Sequence, residues 1–317
     1  MNNIIREIFL DKNPKLKDIT RESYIYNVSN LMDLLVSKDL NIIYKNYKKV
    51  FEVVKENYIE NNSQANKYTA CKAIIRCLVN NRNKKKIDEA LEAYRVELAI
   101  LKNKIEKKLA THIKSKHEEE TWINKKDEEN ISILLQAKIP ETISTLSELC
   151  KLRDYVIFTF YRNLSTRTEL AESKFYYDDE CNIDTLLKDN IFNYIVLKKN
   201  ENKVIYILNN YKTVKRYGHV IIDLGNNMYD LLVKYKEYLK LLSKTNYFLI
   251  STIDKKLARP TLSKLFTSFG SEINKKISIR TLRHIRVSNN INIENVSNLA
   301  SKMMHDPITA LSIYAKI

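Results

Sequence analysis

The spacing of apolar side chains divides the chain into two kinds of territory. Over the first third they recur at helical steps. Ile25, Val28, Leu31, Met32 and Leu35 form one stripe, and Tyr47, Val50, Phe51, Val54 and Tyr58 form a second. A third stripe, Ala70, Ile74 and Leu78, follows Ser63, whose hydroxyl is a candidate N-cap. The longest runs through Ile87, Leu91, Tyr94, Leu98, Leu101, Ile105 and Leu109. Lys and Arg occupy the opposite faces, so helices joined by short polar turns predict an antiparallel four-helix bundle.

A charge-mixed stretch, KSKHEEETWINKKDEEN, follows and carries the only tryptophan, Trp122. Its polar, charge-mixed character makes it the best candidate for an interdomain linker, with partly helical structure as the alternative, and divides the chain into residues 1–116 and 117–317. Helical spacing resumes from Ile143 to Tyr161. After residue 190 the period shortens: IFNYIVL, KVIYIL and GHVIIDL are β-rich runs separated by polar turns, which predicts a small three-stranded antiparallel sheet. Helical patterns return at Met228–Leu242, Leu262–Ile273, Thr281–Ser288 and Val296–Met304. Asp306-Pro307 then offers an N-cap followed by a proline at the first helical position. The expected fold is two-domain and mainly α, an all-α N-terminal bundle followed by an α+β domain.

Composition narrows the function. A chain of 317 residues suits two domains, and 44% hydrophobic with 29% charged residues is globular rather than disordered. With 3 Gly and no GxGxxG or GxxxxGK[ST], the usual nucleotide cradles are missing. HExxH and GxSxG are absent too, which removes the common zinc-hydrolase and serine-hydrolase signatures. The 54 Lys+Arg against 38 Asp+Glu leave +16, pointing to a polyanionic partner, nucleic acid or an anionic surface. The N-terminal run is too short for a signal peptide, and nothing downstream approaches a membrane span. Cys71, Cys77, Cys150 and Cys181 form no CxxC pair and read as reduced, packed thiols of an intracellular protein.

Chemistry is concentrated in cations that precede one late tyrosine. ISIRTLRHIRVS carries Arg280 and Arg283 one helical turn apart, on one face, followed by His284. ASKMMHDPITALSIYAKI places His305 nine residues before Tyr314. Upstream, LSTRTEL supplies Arg167 with Glu169-Leu170, and NNYKTVKRYG puts Lys212 in the turn between two predicted strands. Arg162 is the alternative to Arg167 but lacks the Glu-Leu that follows; Lys215 and Arg216 share the turn with Lys212.

In that order the residues resemble the tyrosine recombinase (phage integrase) family. Its members show an arginine closely followed by Glu-Leu, a β-hairpin lysine, an xxLRH segment, a histidine, and a tyrosine nine residues later. The matching positions are Arg167, Lys212, Arg283, His305 and Tyr314. The resemblance covers the whole chain, the N-terminal helices looking like the family's core-binding domain. The LSTRTEL and YKTxxxYG forms look most like recombinases of large DNA viruses and their mobile elements. Arg280 stands where many members have histidine, Met304 where a glycine is common, and Arg167 lies two residues from Glu169 instead of three.

The resemblance implies a site-specific recombinase or integrase that breaks and rejoins double-stranded DNA through a 3′-phosphotyrosyl link, without metal or other cofactor. Arg167, Arg280 and Arg283 would hold the phosphate, Tyr314 would attack it, Lys212 on a mobile hairpin would protonate the leaving 5′-hydroxyl, and His305 would assist. It also implies a C-shaped clamp on duplex DNA and a homotetramer on paired sites. If the chain ends naturally three residues past Tyr314, the protomers must join through a surface other than a long C-terminal tail. Two rival expectations are type IB topoisomerase-like relaxation and a non-catalytic architectural DNA-binding protein of the same fold.

Overall fold

The computed structural model describes residues 1–164, 166–289 and 315. The chain forms two compact units, Met1–Thr111 and His112–Ile317.

The first unit is all helical: α1 (Asn2–Lys12), α2 (Asp18–Leu34), α3 (Ile42–Lys45), α4 (Tyr47–Asn57), α5 (Asn61–Cys77) and α6 (Lys84–Ala110). The four stripes become α2, α4, α5 and α6, but α1 and α3 join them, so the unit is larger than a four-helix bundle. Ile5 and Phe9 of α1 are fully buried in the same core as Val28, Leu31, Val50, Val54 and Ile74. Ser63 is not the cap of α5: the helix starts two residues earlier, after Glu60. At the centre, the rings of Phe51, Tyr68 and Tyr94 meet edge to face, with centroids 4.9–5.8 Å apart. Tyr94 keeps its hydroxyl satisfied by donating to the Ile43 carbonyl at 3.1 Å, which makes so large a buried phenol tolerable. Burial pushes the neighbouring Cys71 thiol up to about 12, consistent with a packed, inert cysteine. All four cysteines are free.

The second unit opens where a linker was expected. The stretch 114–130 folds into α7 (Lys116–Thr121) and the start of α8 (Lys125–Ala137). Each helix begins with a capping box, Ser115 with Glu118 and Asn124 with Asp127, and Ile123 between them is fully buried. Three of its carboxylates, Glu118, Asp127 and Glu128, are paired with residues far along the chain, His284, Lys275 and Arg286. Next come α9 (Leu146–Asn163), a 3-10 turn (Thr168–Glu172), β1 (Ser173–Tyr177), α10 (Ile183–Leu187), β2 (Asn193–Lys198), β3 (Lys203–Leu208), α11 (Val214–Tyr217) and β4 (Val220–Gly225). The unit continues with α12 (Tyr229–Leu242), α13 (Arg259–Ser271) and α14 (Ile279–Ser288). The expected helix Val296–Met304 and the Asp306-Pro307 cap lie outside the described residues.

The sheet has four strands in the order β1-β2-β3-β4 and is mixed, not three-stranded and antiparallel. The three expected strands do pair antiparallel; the addition is β1, parallel to β2. That parallel step needs a crossover, which residues 178–192 supply with α10. β2 and β3 are buried on both faces. Ile195, Leu197, Val204, Tyr206 and Leu208 enter the main core, while Tyr194, Val196, Ile205 and Ile207 pack under α10. At the C-terminal end of α13, a side chain on Gly270 would collide with the Lys275 carbonyl, so glycine lets the chain turn tightly back toward α14. Among the described residues no helix is long and apolar enough to cross a membrane.

Candidate functional site

Arg167 sits at the N-cap of the 3-10 turn that leaves α9 and is half-buried. Its carbonyl accepts a hydrogen bond from the hydroxyl of Tyr161, the last turn of α9 having carried that ring into the core. Tyr161 is fully buried and packs edge-on against Phe266 of α13 at 4.9 Å. Burial drives its pKa well above the ordinary tyrosine value, with Tyr206 and Glu169 acting in the same direction and the Arg283 charge opposing them. The main chain of Arg167 and the charge of Arg283, distant in sequence, thus both act on one buried phenol. Glu169, 2% exposed, has an Oε2 with no hydrogen-bond partner among the described residues.

The helix that carries the second arginine is anchored from several sides. Ser278 caps α14 by accepting from the Thr281 amide at 3.0 Å, and Thr281 Oγ1 lies 3.2 Å from Thr121 Oγ1 of α7. Arg283 is 4% exposed and His284 2%. Arg280 is exposed, so the two arginines are not equivalent: positions three apart lie roughly 60° apart around a helix, enough for one to be inside and the other outside. The Arg280 Nε donates to His284 Nε2 at 3.4 Å, and His284 Nδ1 lies 3.2 Å from Glu118 Oε1. A carboxylate, an imidazole and a guanidinium therefore form a chain from α7 to the surface. One turn further along, Arg286 donates to Glu128 of α8 at 3.0 Å, and the same carboxylate oxygen lies 3.6 Å from Arg162. Arg162, the sequence alternative to Arg167, is engaged in that pair.

Lys212 is exposed on the eleven-residue connection 209–219 between β3 and β4, just before the single turn α11. Lys215 and Arg216 are exposed on α11 itself. His305 and Tyr314 lie outside the described residues. Ala315 is described: it is 5% exposed and its carbonyl is 3.1 Å from His112 Nδ1.

The sequence reading missed Glu118 and Glu128, which tie α7 and α8 to α14. A signal was present: Ser115-x-x-Glu118 and Asn124-x-x-Asp127 are helix-start signatures, and they make helices of the apparent linker. Among the described residues no group of three or more His, Cys, Asp or Glu could hold a metal ion.

No protein-family model matches the sequence, and no curated protein matches it. Among solved structures, a crystal structure of XerA recombinase is similar over the full length. The match covers 100% of this chain and 94% of that one at 13% identity, with a TM-score of 0.43.

Proposed function

We propose that the chain is a tyrosine recombinase that cleaves and rejoins double-stranded DNA at specific sites. One observation carries the reading. Arg167 and Arg283, the two arginines of an ordered Arg-Lys-Arg-His-Tyr series, lie at one buried tyrosine although the chain separates them by 116 residues. If their guanidinium forks converge there, they suit a phosphodiester whose non-bridging oxygens gain charge as it is attacked. Exposed Arg280, with its Nε held by His284, offers its remaining donors to the same phosphate.

In this reading the Tyr314 phenol releases its proton to water as its oxygen attacks phosphorus, the bond to the 5′-oxygen breaks, and Lys212 gives that oxygen a proton. His305 hydrogen-bonds the phosphate or assists the proton transfer. The phosphotyrosyl link conserves the bond energy, and attack by a 5′-hydroxyl reverses the step, so neither ATP nor a metal is required. Residues 1–116 would grip the DNA with their helices and residues 117–317 would cut it. The +16 charge supplies sequence-independent attraction to phosphates. Two duplexes exchanging four strands imply a homotetramer, working inside the cell.

The test uses a library of nicked duplexes of random sequence, incubated with the full chain in EDTA. The nick lets a short cleaved strand diffuse away and traps the intermediate. A protein–DNA adduct that survives SDS is expected from a subset of sequences and is lost in Tyr314→Phe. No adduct from any member would overturn the enzymatic reading. Relaxation of supercoiled plasmid of any sequence by the monomer would transfer it to a type IB topoisomerase-like activity.

A further inference from the structure

We infer that Asn193 is a positioning residue for Lys212, fixing the β3–β4 connection so that the lysine is presented in one place. The inference rests on the reading of Lys212 as the acid that protonates the leaving oxygen. Asn193 is the first residue of β2, 16 positions before the connection it braces, and is 1% exposed. Its Oδ1 accepts from the amides of Asn209 (2.9 Å) and Asn210 (2.8 Å), and its Nδ2 donates to the Asn210 carbonyl at 3.0 Å. Two amide donors converging on one atom define which end of the side chain is oxygen.

The grip extends outward from there. Asn209, 2% exposed, donates its Nδ2 to the Leu186 carbonyl at 2.7 Å, and its Oδ1 lies 2.9 Å from His219 Nδ1. Asn210 donates to the Ile191 carbonyl at 2.8 Å. Tyr211, 4% exposed, donates to the Gly218 carbonyl at 2.6 Å. Gly218 has φ +69° and ψ −161°, a region open essentially to glycine alone, and there the chain turns back into β4. The residues immediately before Lys212, and those that close the connection behind it, are therefore tied down. The hairpin expected to be mobile is rooted by buried amides.

Such a root matters for acid catalysis. A proton donor works within hydrogen-bond reach of its acceptor, and a misplacement of about 1 Å costs about 10²-fold in rate. A brace that served stability alone would affect every substrate equally. A brace that aims Lys212 would affect only substrates whose leaving group needs a proton.

The experiment compares wild type, Asn193→Ala, Asn193→Asp and Lys212→Ala on the nicked duplexes selected above. Each duplex is made with a 5′-oxygen and with a 5′-sulfur at the scissile bond, since a thiolate leaves without protonation. Asn193→Ala is expected to slow adduct formation about 10²-fold on oxygen and only a few-fold on sulfur, the pattern of Lys212→Ala. Asn193→Asp keeps the acceptor for both amides but sets a second oxygen against the Asn210 carbonyl, and should recover only part of the oxygen rate. Equal slowing on both substrates would overturn the inference. Amide hydrogen exchange gives a second arm independent of activity: protection at Asn209 and Asn210 should vanish in Asn193→Ala. Retained protection refutes the brace even if wild type proves inactive, whereas an inactive wild type with lost protection refutes only the recombinase reading.

Discussion

The two units treat buried charge in opposite ways. In Met1–Thr111 the centre is Phe51, Tyr68 and Tyr94, and the two tyrosine hydroxyls donate to backbone carbonyls. Its buried charged side chains are Arg21 and Lys67. Arg21 pairs with Asp18 one turn away, and Lys67 lies over the Tyr58 ring at 4.8 Å. The second unit buries Glu128, Arg153, Glu169, Lys236, Arg283 and His284. Arg153 and Lys236 serve the frame, bonding to the carbonyls of Ile250 and Phe175. The other four gather on α8, α14 and the turn after Arg167. Apolar packing of the first kind is the cheaper way to stabilise a fold, because each buried charge has a desolvation cost that its partner only partly offsets. The buried charges of the second unit are a cost that the apolar centre of the first does not carry, and under the proposed function they would serve chemistry.

The strongest way to break that contrast is to hollow the apolar centre. Phe51→Ala should remove about 3–5 kcal/mol from the helical unit, since the cavity left between Tyr68 and Tyr94 cannot collapse onto two rigid rings. Trp122, the sole tryptophan, belongs to the other unit and reports on it alone. Urea unfolding followed by far-UV circular dichroism should show an early transition, while the Trp122 fluorescence midpoint stays in place. Equal displacement of both signals would mean that the two units are not separately stabilised.

The converse experiment is smaller. Glu128→Gln leaves Arg286 and Arg162 without their shared carboxylate. Both arginines are about a quarter exposed, so water recovers part of the loss and the cost should be about 2 kcal/mol. Here the Trp122 midpoint should fall and the helical transition should hold. Adding Arg286→Met to Glu128→Leu should restore much of the stability, because an apolar pair has no charge to desolvate. If the double variant is no better than the single one, the triad is a net stabiliser and the contrast between the units weakens.

Which parts of this could be read from the sequence follows from the range of the interactions. Stripes such as Tyr47, Val50, Phe51 and Val54 are local, and they gave α4 directly. Strands β2, β3 and β4 are adjacent in the chain and were equally plain. β1 was missed because its five residues pair in parallel with a strand that follows only after a crossover, and SKFYY alone has no turn signal beside it. The stretch 114–130, read as a linker with helix only as the alternative, was half-legible for a sharper reason. Hydropathy cannot distinguish a solvated glutamate from one mated across the fold, and Glu118 meets His284 while Glu128 meets Arg286. Arg167, Lys212 and Arg283, the residues of the proposed site, stand out in the sequence as an ordered motif, because the proposed chemistry would fix residue types. Asn193 was not, since it acts through the backbone of Asn209 and Asn210, and backbone partners leave no mark on sequence.

The smallest effect tests whether those misread charges hold the second unit together. Lys275, between α13 and α14, donates to Asp127 at 2.7 Å and to the Trp122 carbonyl at 3.2 Å, closing the α7–α8 corner. Burial alone would raise the Asp127 carboxyl, but the Lys275 ammonium and the Asn124 amide outweigh it and hold the pKa below its ordinary value. A carboxyl held lower in the folded state than in the unfolded one stabilises the fold fully above the unfolded value, about 3.9. That stabilisation is lost as pH falls through the folded value. Stability of the Trp122-reported transition should therefore decline below about pH 4, and Lys275→Met should flatten that part of the profile. An unchanged slope in Lys275→Met would assign the acid sensitivity to other carboxylates. The natural alternatives are Glu172, held low against burial by Arg259 and Lys256, and Glu180, held low against burial by Lys240 and the Tyr177 amide. The tryptophan would then still sense the unit, but the apparent linker would owe its place to apolar Ile123 and not to its charges.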